Sequence, residues 1–519
     1  MRFLAPSFPR SLPRLTPLAL GFGGSLLLAP GCRAMPAVAL HWPTPPRPAI
    51  ELTRPVLWVA LGSRLGPAPG VAAAKAPPLQ LKAASGRLEL QDASGRTLQG
   101  STLSLRWRER PLQEPLLIER SVLGPFSSFE TADQAAQAWR RLGVEPVIAH
   151  PAEWEVWAPA GTAPPEGFQV RTWRREVTTR LELEATGADG SVIALQGPLR
   201  LKAPAGLRWG KGVFQGPFRL QPNAYGGWSL IEQVPLERYL LGVVPHEIGA
   251  GSPAAALAAQ AVLARTWALR NSHRYDVDGY HLCSDTQCQV YADPRLAGGA
   301  VRRAVQATRG QVLSWQGQPI HAVYHASNGG IAAGFEEAWS GAPLPYLQAR
   351  PDGPPAFAKR FALPLPAASL PELLRDGRTA YGAGHPLFRW SRQLNATRIR
   401  QALEKGPGGV GQPSALKVLE RGPSGRVLAL AVVGSTGQRV LRLDAIRRTF
   451  RQLPSTLFVV RPDGPGRWSF SGGGFGHGAG LSQQGAIDLG GRGWSQQRIL
   501  AHYYPGTELV PLEVLSGGL

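Results

Sequence analysis

Between Val56 and Val234 apolar and polar residues alternate in short runs broken by Gly, Ser and Asp, a period of two that predicts β-strands. The runs are 56–61, 79–82, 87–90, 102–107, 178–185, 192–195, 214–220 and 228–234. One stretch breaks the rhythm. Residues 130–142 carry apolar positions at helical spacing and stop at Gly143, and 144–148 and 154–157 return to strand patterning. A second helix is predicted from Ser252 as N-cap and Pro253 in the first turn to about Asn271. Its apolar residues cover one face at Leu257, Ala261, Ala264 and Ala268 and extend off it at Val262 and Leu263, which predicts burial on several sides.

A helix buried on several sides leaves Gln260, Arg265 and Thr266 in need of partners. Such side chains either brace neighbouring loops or reach into a cleft. Glu247 stands just ahead of the helix. Beside an apolar surface its carboxyl pKa rises, which suits a general acid, whereas a helix cap or a salt-bridged Glu is the plainer alternative.

Beyond this core the pattern weakens. Residues 370–375 and 397–405 predict short helices, and 416–420, 427–433 and 439–443 predict strands with turns at Ser424-Gly425 and Ser435-Thr436-Gly437. Near the end, GGGFGHGAG at 472–480 presents His477 among glycines. No Gly-Lys-Ser/Thr follows, so this is not a phosphate loop. Ser482 as N-cap and Gly490 as stop frame a helix bearing Gln483 and Gln484, and Tyr503 and Tyr504 close another before Pro505-Gly506.

The 519 residues are 43% hydrophobic and 18% charged, enough for two to four folded domains, and the 62 Gly and 49 Pro predict many turns. The formal charge of +21 favours a polyanionic partner. No Lys/Arg block or aromatic-basic motif points to nucleic acid, so anionic cell-wall glycan is the expected polymer. Arg2, Arg10 and Arg14 precede an apolar run at 17–29, the pattern of an export signal cleaved near 34–37. A lipid anchor at Cys32 and an uncleaved membrane anchor are the alternatives. The expected location is therefore the periplasm or the cell wall.

The segment PLERYLLGVVPHEIGAGSPAAALAAQAVLARTWAL resembles the stage II sporulation protein D family, also called SpoIID/LytB or amidase-enhancer proteins. Its signature pieces stand at 236–240, 243–247 and 259–266, and CQVY at 288–291, AVQATRG, IHAVYHASNGG, Trp339, PYL, the glycine-rich loop and ILAHYYPGT follow in the family's order. The resemblance implies an α+β fold with a discontinuous SpoIID-type domain, its parts at 234–350 and 461–512 and an inserted α/β lobe at 351–460 between them. Ahead of these, the expected divisions are a signal or anchor (1–36), a Pro-rich linker (37–53) and β-rich regions (54–120 and 161–233). Between the β-rich regions, 121–160 resembles half of a SPOR-type peptidoglycan-binding module, or is an ordinary αβ insertion.

For the chemistry, the resemblance implies a lytic transglycosylase acting on peptide-free glycan strands. Glu247 would protonate the oxygen leaving C1 of N-acetylmuramic acid, then accept the C6 hydroxyl proton as a 1,6-anhydro end closes. Candidate sugar-binding residues beside it are Gln260, Arg265, His325, Ser327, Asn328, Gly329, Gly330, His477, Gln483 and Tyr503. For His477 a purely structural role bonded to backbone is the alternative. The rival reading of the chain is a glycan-binding activator of a cell-wall amidase. Ala255 and Ala258 favour it, because many members carry Glu and Lys there.

No cofactor is required by this route. Some relatives bind zinc near the cysteine pair, which here offers His281, Cys283 and Cys288 but has Gln287 where a further histidine would stand. A Cys283–Cys288 disulfide is the other arrangement open to an exported chain.

Overall fold

The computed structural model describes residues 37–186, 191–376, 379–404 and 409–515. Residues 1–36, where an export signal or anchor is expected and where Cys32 stands, lie outside the described residues.

The spine of the N-terminal half is a ribbon in which Thr102–Phe126 pairs antiparallel with Arg171–Thr186. Alternation marked only 102–107 and 178–185 because the middle of the ribbon is exposed on both faces and needs no apolar period. A register shift between Pro111 and Leu116 accommodates the proline there. Leu79–Ala83 and then Leu207–Trp209 extend one edge of this sheet, and Trp154–Pro159 pairs with the far end of Thr102–Phe126. A second sheet runs in the order Leu282–Cys283, Val56–Leu65, Trp228–Pro235, Phe218–Pro222, Leu199–Lys202, Leu88–Gln91, Thr97–Gly100.

The two sheets share one core with the helices that follow. Leu57, Leu81, Leu90, Leu105 and Leu201 belong to the same buried cluster as Leu257, Leu263 and Leu269. Helix α1 (Phe129–Arg140) follows Ser128, whose hydroxyl accepts the Thr131 N–H as an N-cap, and it packs Phe129, Ala132, Ala136 and Trp139 against Trp154, Tyr275 and Cys283. The strand, helix, strand, strand order predicted for 121–160 is present, joined edge to edge with the long ribbon.

Helix α2 (Leu236–Val244) was not foreseen as a helix, although its motif was singled out. Helix α3 (Ala254–Arg270) lies within one residue of expectation at each end, and every residue from Ala256 to Leu269 is buried. Its cap differs from the predicted one. Pro253 occupies the N-cap position, and the Ser252 hydroxyl donates back to the Ile248 carbonyl at 2.7 Å instead of accepting from the helix.

After α3 the chain reaches Tyr324–His325, which pairs in parallel with Leu481–Ser482 from far along the sequence, and Gln311–Trp315 pairs with Glu508–Pro511. Bridges at Ser327 with Phe475 and at Ala333 with Ala479 lock the two glycine-rich loops together. Between these returns, Arg389–Asn395, Arg467–Gly473 and Phe458–Pro462 form one small sheet, and Pro413–Arg421, Val427–Gly434 and Gly437–Arg442 another. With α4 (Ala396–Glu404) and α5 (Asp444–Thr449) they enclose a core of their own around Ile399, Leu430, Ile446, Phe458 and Phe470. Helices α6 (Gln483–Gly491) and α7 (Gln496–Tyr503) carry the chain back onto α3, α6 capped by Ser482 as predicted. The architecture is α+β, with several sheets and helices gathered beside them.

Candidate active site around Glu247

Helix α2 ends at Pro245, which has no N–H to continue the α-helical ladder, and the chain widens into a single π turn, Pro245–Gly249. Glu247 is carried on that turn, half-buried, and opens on a cavity of 310 Å³. The carboxylate accepts the Val290 N–H at 3.0 Å and side-chain hydrogen bonds from Gln483 and Tyr324. Gly242 makes the first of these contacts available. A Cβ there would stand 2.4 Å from the Ala292 carbonyl oxygen, so only glycine lets α2 lie against the segment that presents Val290.

Behind Glu247 runs a relay of buried donors. The Tyr239 hydroxyl donates to Gln289 Oε1 at 3.2 Å, and Gln289 Nε2 donates to the Tyr324 hydroxyl at 2.9 Å. With its lone pair so occupied, Tyr324 directs its own proton to Glu247. Burial pushes the Glu247 carboxyl above its ordinary range, opposed by these three donors, which favour the charged form. A carboxyl poised in this way can both give and take a proton.

The remaining walls come from distant parts of the chain. Ser127, Ser128, Phe129 and Glu130 from the αβ segment face Trp267, Arg274, Trp339 and His477. Glu130 is a second carboxylate in the cavity, but it is ion-paired with Arg274. Arg274 also stacks over Phe129 and Trp267, with its guanidinium carbon 4.4 and 4.8 Å from the ring centres.

Of the residues singled out from sequence, Glu247, Gln483 and His477 come together here. His477 shows its ring to the cavity from a tilted contact with Trp339, centroids 4.7 Å apart, with both nitrogens committed to backbone. Nε2–H donates to the Tyr324 carbonyl at 2.9 Å and Nδ1 accepts the Ala479 N–H at 3.2 Å. Burial pushes its pKa down to about 3, so it is a neutral wall and not a cationic acid. Gln260 stands one layer back, its Oε1 3.4 Å from Gln483 Nε2.

The other candidates are placed elsewhere. Arg265 is fully buried and forks onto Glu237 at 2.7 and 2.8 Å, so it ties α3 to α2 and does not reach the cavity. His325 alternates with Tyr324 on one short strand and therefore faces the opposite way, its Nδ1 on the Ala479 carbonyl. Ser327, Asn328, Gly329 and Gly330 form a buried buttress against the second glycine loop. A Cβ on Gly329 would stand 2.7 Å from the Gly473 carbonyl carbon. Asn328 Nδ2 and the Tyr503 hydroxyl both donate to Asp352, at 2.6 and 3.0 Å, which fixes Tyr503 in the core. Ala258 is buried and Ala255 partly so, and neither lines the cavity.

At the cysteine pair the structure holds the disulfide, Cys283 with Cys288. His281 is apart from it in function, since its Nδ1 accepts the Trp58 N–H at 2.7 Å and Nε2 donates to the Pro48 carbonyl at 3.0 Å. With the sulfurs bonded to each other and both imidazole nitrogens engaged, His281, Cys283 and Cys288 do not fit a zinc ligand set. Among the described residues no group of three His, Cys, Asp or Glu side chains is arranged to hold a metal.

Sequence reasoning missed Tyr324, Gln289, Tyr239 and the wall from α1. A signal for the first existed: in the strand Tyr324–His325 only one side chain can face Glu247, and Gln289 and Val290 stand in the quoted CQVY motif.

Comparison with known proteins agrees with the motifs. Residues 224–315 match the family model described as stage II sporulation protein, and 333–480 match a domain of unknown function, DUF8618. Stage II sporulation protein D of Bacillus amyloliquefaciens is 28% identical over 295 residues, covering 54% of this chain and 75% of that protein. Its counterpart in Bacillus subtilis (strain 168) is 26% identical over 299 residues, again 54% and 75%. The amidase enhancer of Bacillus subtilis (strain 168) is 27% identical over 291 residues, 52% of this chain and 40% of that protein. The SpoIID/LytB resemblance read from the motifs is borne out: the segment that carries Glu247 matches that family's model, and the curated relatives include members of it.

Proposed function

We propose that this protein acts on the cell wall as a peptidoglycan lytic transglycosylase, with Glu247 as both acid and base. The observation that carries the reading is a single carboxyl, raised in pKa by burial and opening on a cavity whose other carboxylate is tied to an arginine. Glu247 in its acid form gives its proton to the glycosidic oxygen as the bond to C1 of N-acetylmuramic acid breaks. The resulting carboxylate, held by Val290 N–H, Gln483 and Tyr324, then takes the C6 hydroxyl proton as that oxygen bonds to C1, and the acid form is restored. A second carboxylate nucleophile is not needed, in keeping with the pairing of Glu130.

The substrate in this reading is peptide-free glycan, because a cavity of 310 Å³ walled by two tryptophans and α1 leaves little room for stem peptides. Tyr324–His325 paired with Leu481–Ser482 supports a discontinuous SpoIID-type domain with the 351–460 lobe inserted in it, and the location is outside the cytoplasm or in the wall. The proposed test is chain-length analysis of purified peptide-free strands. Wild type shortens them and Glu247→Gln leaves them intact.

A second reading, a glycan-binding activator of a cell-wall amidase, is favoured by the likeness to an amidase enhancer and by three donors that stabilise the charged, non-acidic form of Glu247. Its signature is an unchanged chain length together with faster release of stem peptides when a purified amidase is added.

A further inference from the structure

A second cavity, of 470 Å³, adjoins the first, and Ser127 lines both. One side is the turn Gly124–Ser127 with Glu153 from the αβ segment. The other belongs to the 389–473 lobe and presents four arginines, Arg398, Arg439, Arg448 and Arg451. Against these four cations the lining offers one carboxylate, Glu153, which pairs with Arg448 at 2.5 Å. Arg398 and Arg439 are steadied by neutral acceptors, Gln452 Oε1 at 3.3 Å and the Leu403 carbonyl at 2.9 Å, which orient the guanidinium groups without cancelling charge. The Arg448 Nε–H is buried with no partner. An orphaned buried donor beside uncompensated cations is the condition that an anionic ligand relieves. Phe126, Leu441 and Phe450 add apolar lining to the cavity.

We propose that this cavity is a carboxylate-binding subsite for the glycan strand, taking the lactyl carboxylate of a muramyl residue displaced along the strand from the one at Glu247. The inference rests on the glycan-cleavage reading above. It adds a substrate requirement that Glu247 alone does not impose: the strand must carry free lactyl carboxylates away from the scissile bond. A planar guanidinium fork matches a carboxylate in two hydrogen bonds, which explains arginine at all four positions. It also gives the αβ segment and the inserted lobe a joint task, since neither lines the cavity without the other.

The test is equilibrium binding of purified peptide-free glycan oligomers in the Glu247→Gln background, so that no strand is consumed. A parallel arm uses the same oligomers with their lactyl carboxylates amidated. The expected result is about a tenfold preference for the free carboxylates, weakened by salt. Arg398 and Arg451 are both exposed, so the double variant Arg398→Ala/Arg451→Ala should fold and should abolish the preference while binding amidated strands as before. Equal binding of both oligomers by the four-arginine protein, or a preference that survives the double variant, overturns the subsite and leaves the glycan reading standing. Absence of binding to either oligomer overturns the glycan reading itself.

Discussion

Glu247 and Asp352 are two carboxylates each held by three donors, and they serve opposite ends. Asp352 is fully buried and takes Asn328 Nδ2, the Tyr503 hydroxyl and His502 Nε2, at 2.6, 3.0 and 2.8 Å. Nothing of it is open to a ligand, so it works as a knot that fastens the first glycine loop to α7. Glu247 takes a backbone N–H, an amide and a phenol and keeps one side on a cavity. The motifs of the chain thus divide between a carboxylate that holds the fold and one that faces a cavity. Residue type and donor count do not distinguish them. Access to the cavity does.

The two carboxylates differ most in what their loss does to stability. Asp352→Ala strands two buried donors and the half-buried His502 and should cost about 4 kcal/mol of stability, read from urea unfolding. Glu247→Gln should change stability by less than about 1 kcal/mol, measured in the same way. If the two substitutions cost the same, the division between knot and active carboxylate is wrong.

A third carboxylate sharpens the contrast through pH. Asp278 is buried, accepts Ala224 N–H and the Tyr225 hydroxyl, and is pushed by burial up to about 7. Its folded pKa lies above the unfolded value, so its favourable contribution is complete below the unfolded pKa and is lost as pH rises toward about 7. Wild type should therefore lose stability over that window, on the order of a few kcal/mol. Asp278→Asn should flatten the profile and exceed wild type at pH values above about 7, by thermal unfolding across pH.

Smaller effects follow at the loop that serves Glu247. The Cys283–Cys288 bridge closes a loop five residues apart in sequence, so its loss in the Cys283→Ser/Cys288→Ser double variant should cost about 2 kcal/mol. Because Val290 follows this loop, turnover should fall as well, which a glycan-release assay on the folded variant would detect. Least in energy is Tyr324→Phe. It removes one donor to the charged form of Glu247, so the pKa rises further and the alkaline limb of the pH–rate profile should move to higher pH. Turnover at the optimum should drop about tenfold, because the carboxylate formed in the transition state loses that donor. A limb that stays in place would remove Tyr324 from the account.

Much of this was legible in the sequence because local pattern coincided with burial. Helix α3 is apolar on all sides because it is buried on all sides, and its ends were readable to one residue. Strands such as Val192–Leu195 and Trp228–Pro235 followed from alternation. The ribbon was read short because exposed backbone pairing leaves no hydrophobic period. At the site, the motif pointed to Glu247 but could not say which polar residues around it face inward. His325, Asn328 and Tyr503 are polar for the sake of the fold, while Tyr324, next to His325 in the chain, and Gln289 serve the carboxyl. The wall from α1 was out of reach for a different reason. Its approach to Glu247 depends on tertiary contacts, among them the pairing of Glu130 with Arg274, between residues far apart in the chain.

The most direct test of the central claim is mass spectrometry of the new chain ends made from peptide-free glycan by wild type and by Glu247→Gln. Acid–base catalysis by Glu247 yields 1,6-anhydro-muramic ends, one water lighter than reducing ends, from wild type and none from the variant. Reducing ends from wild type, or anhydro ends that persist in Glu247→Gln, would contradict it.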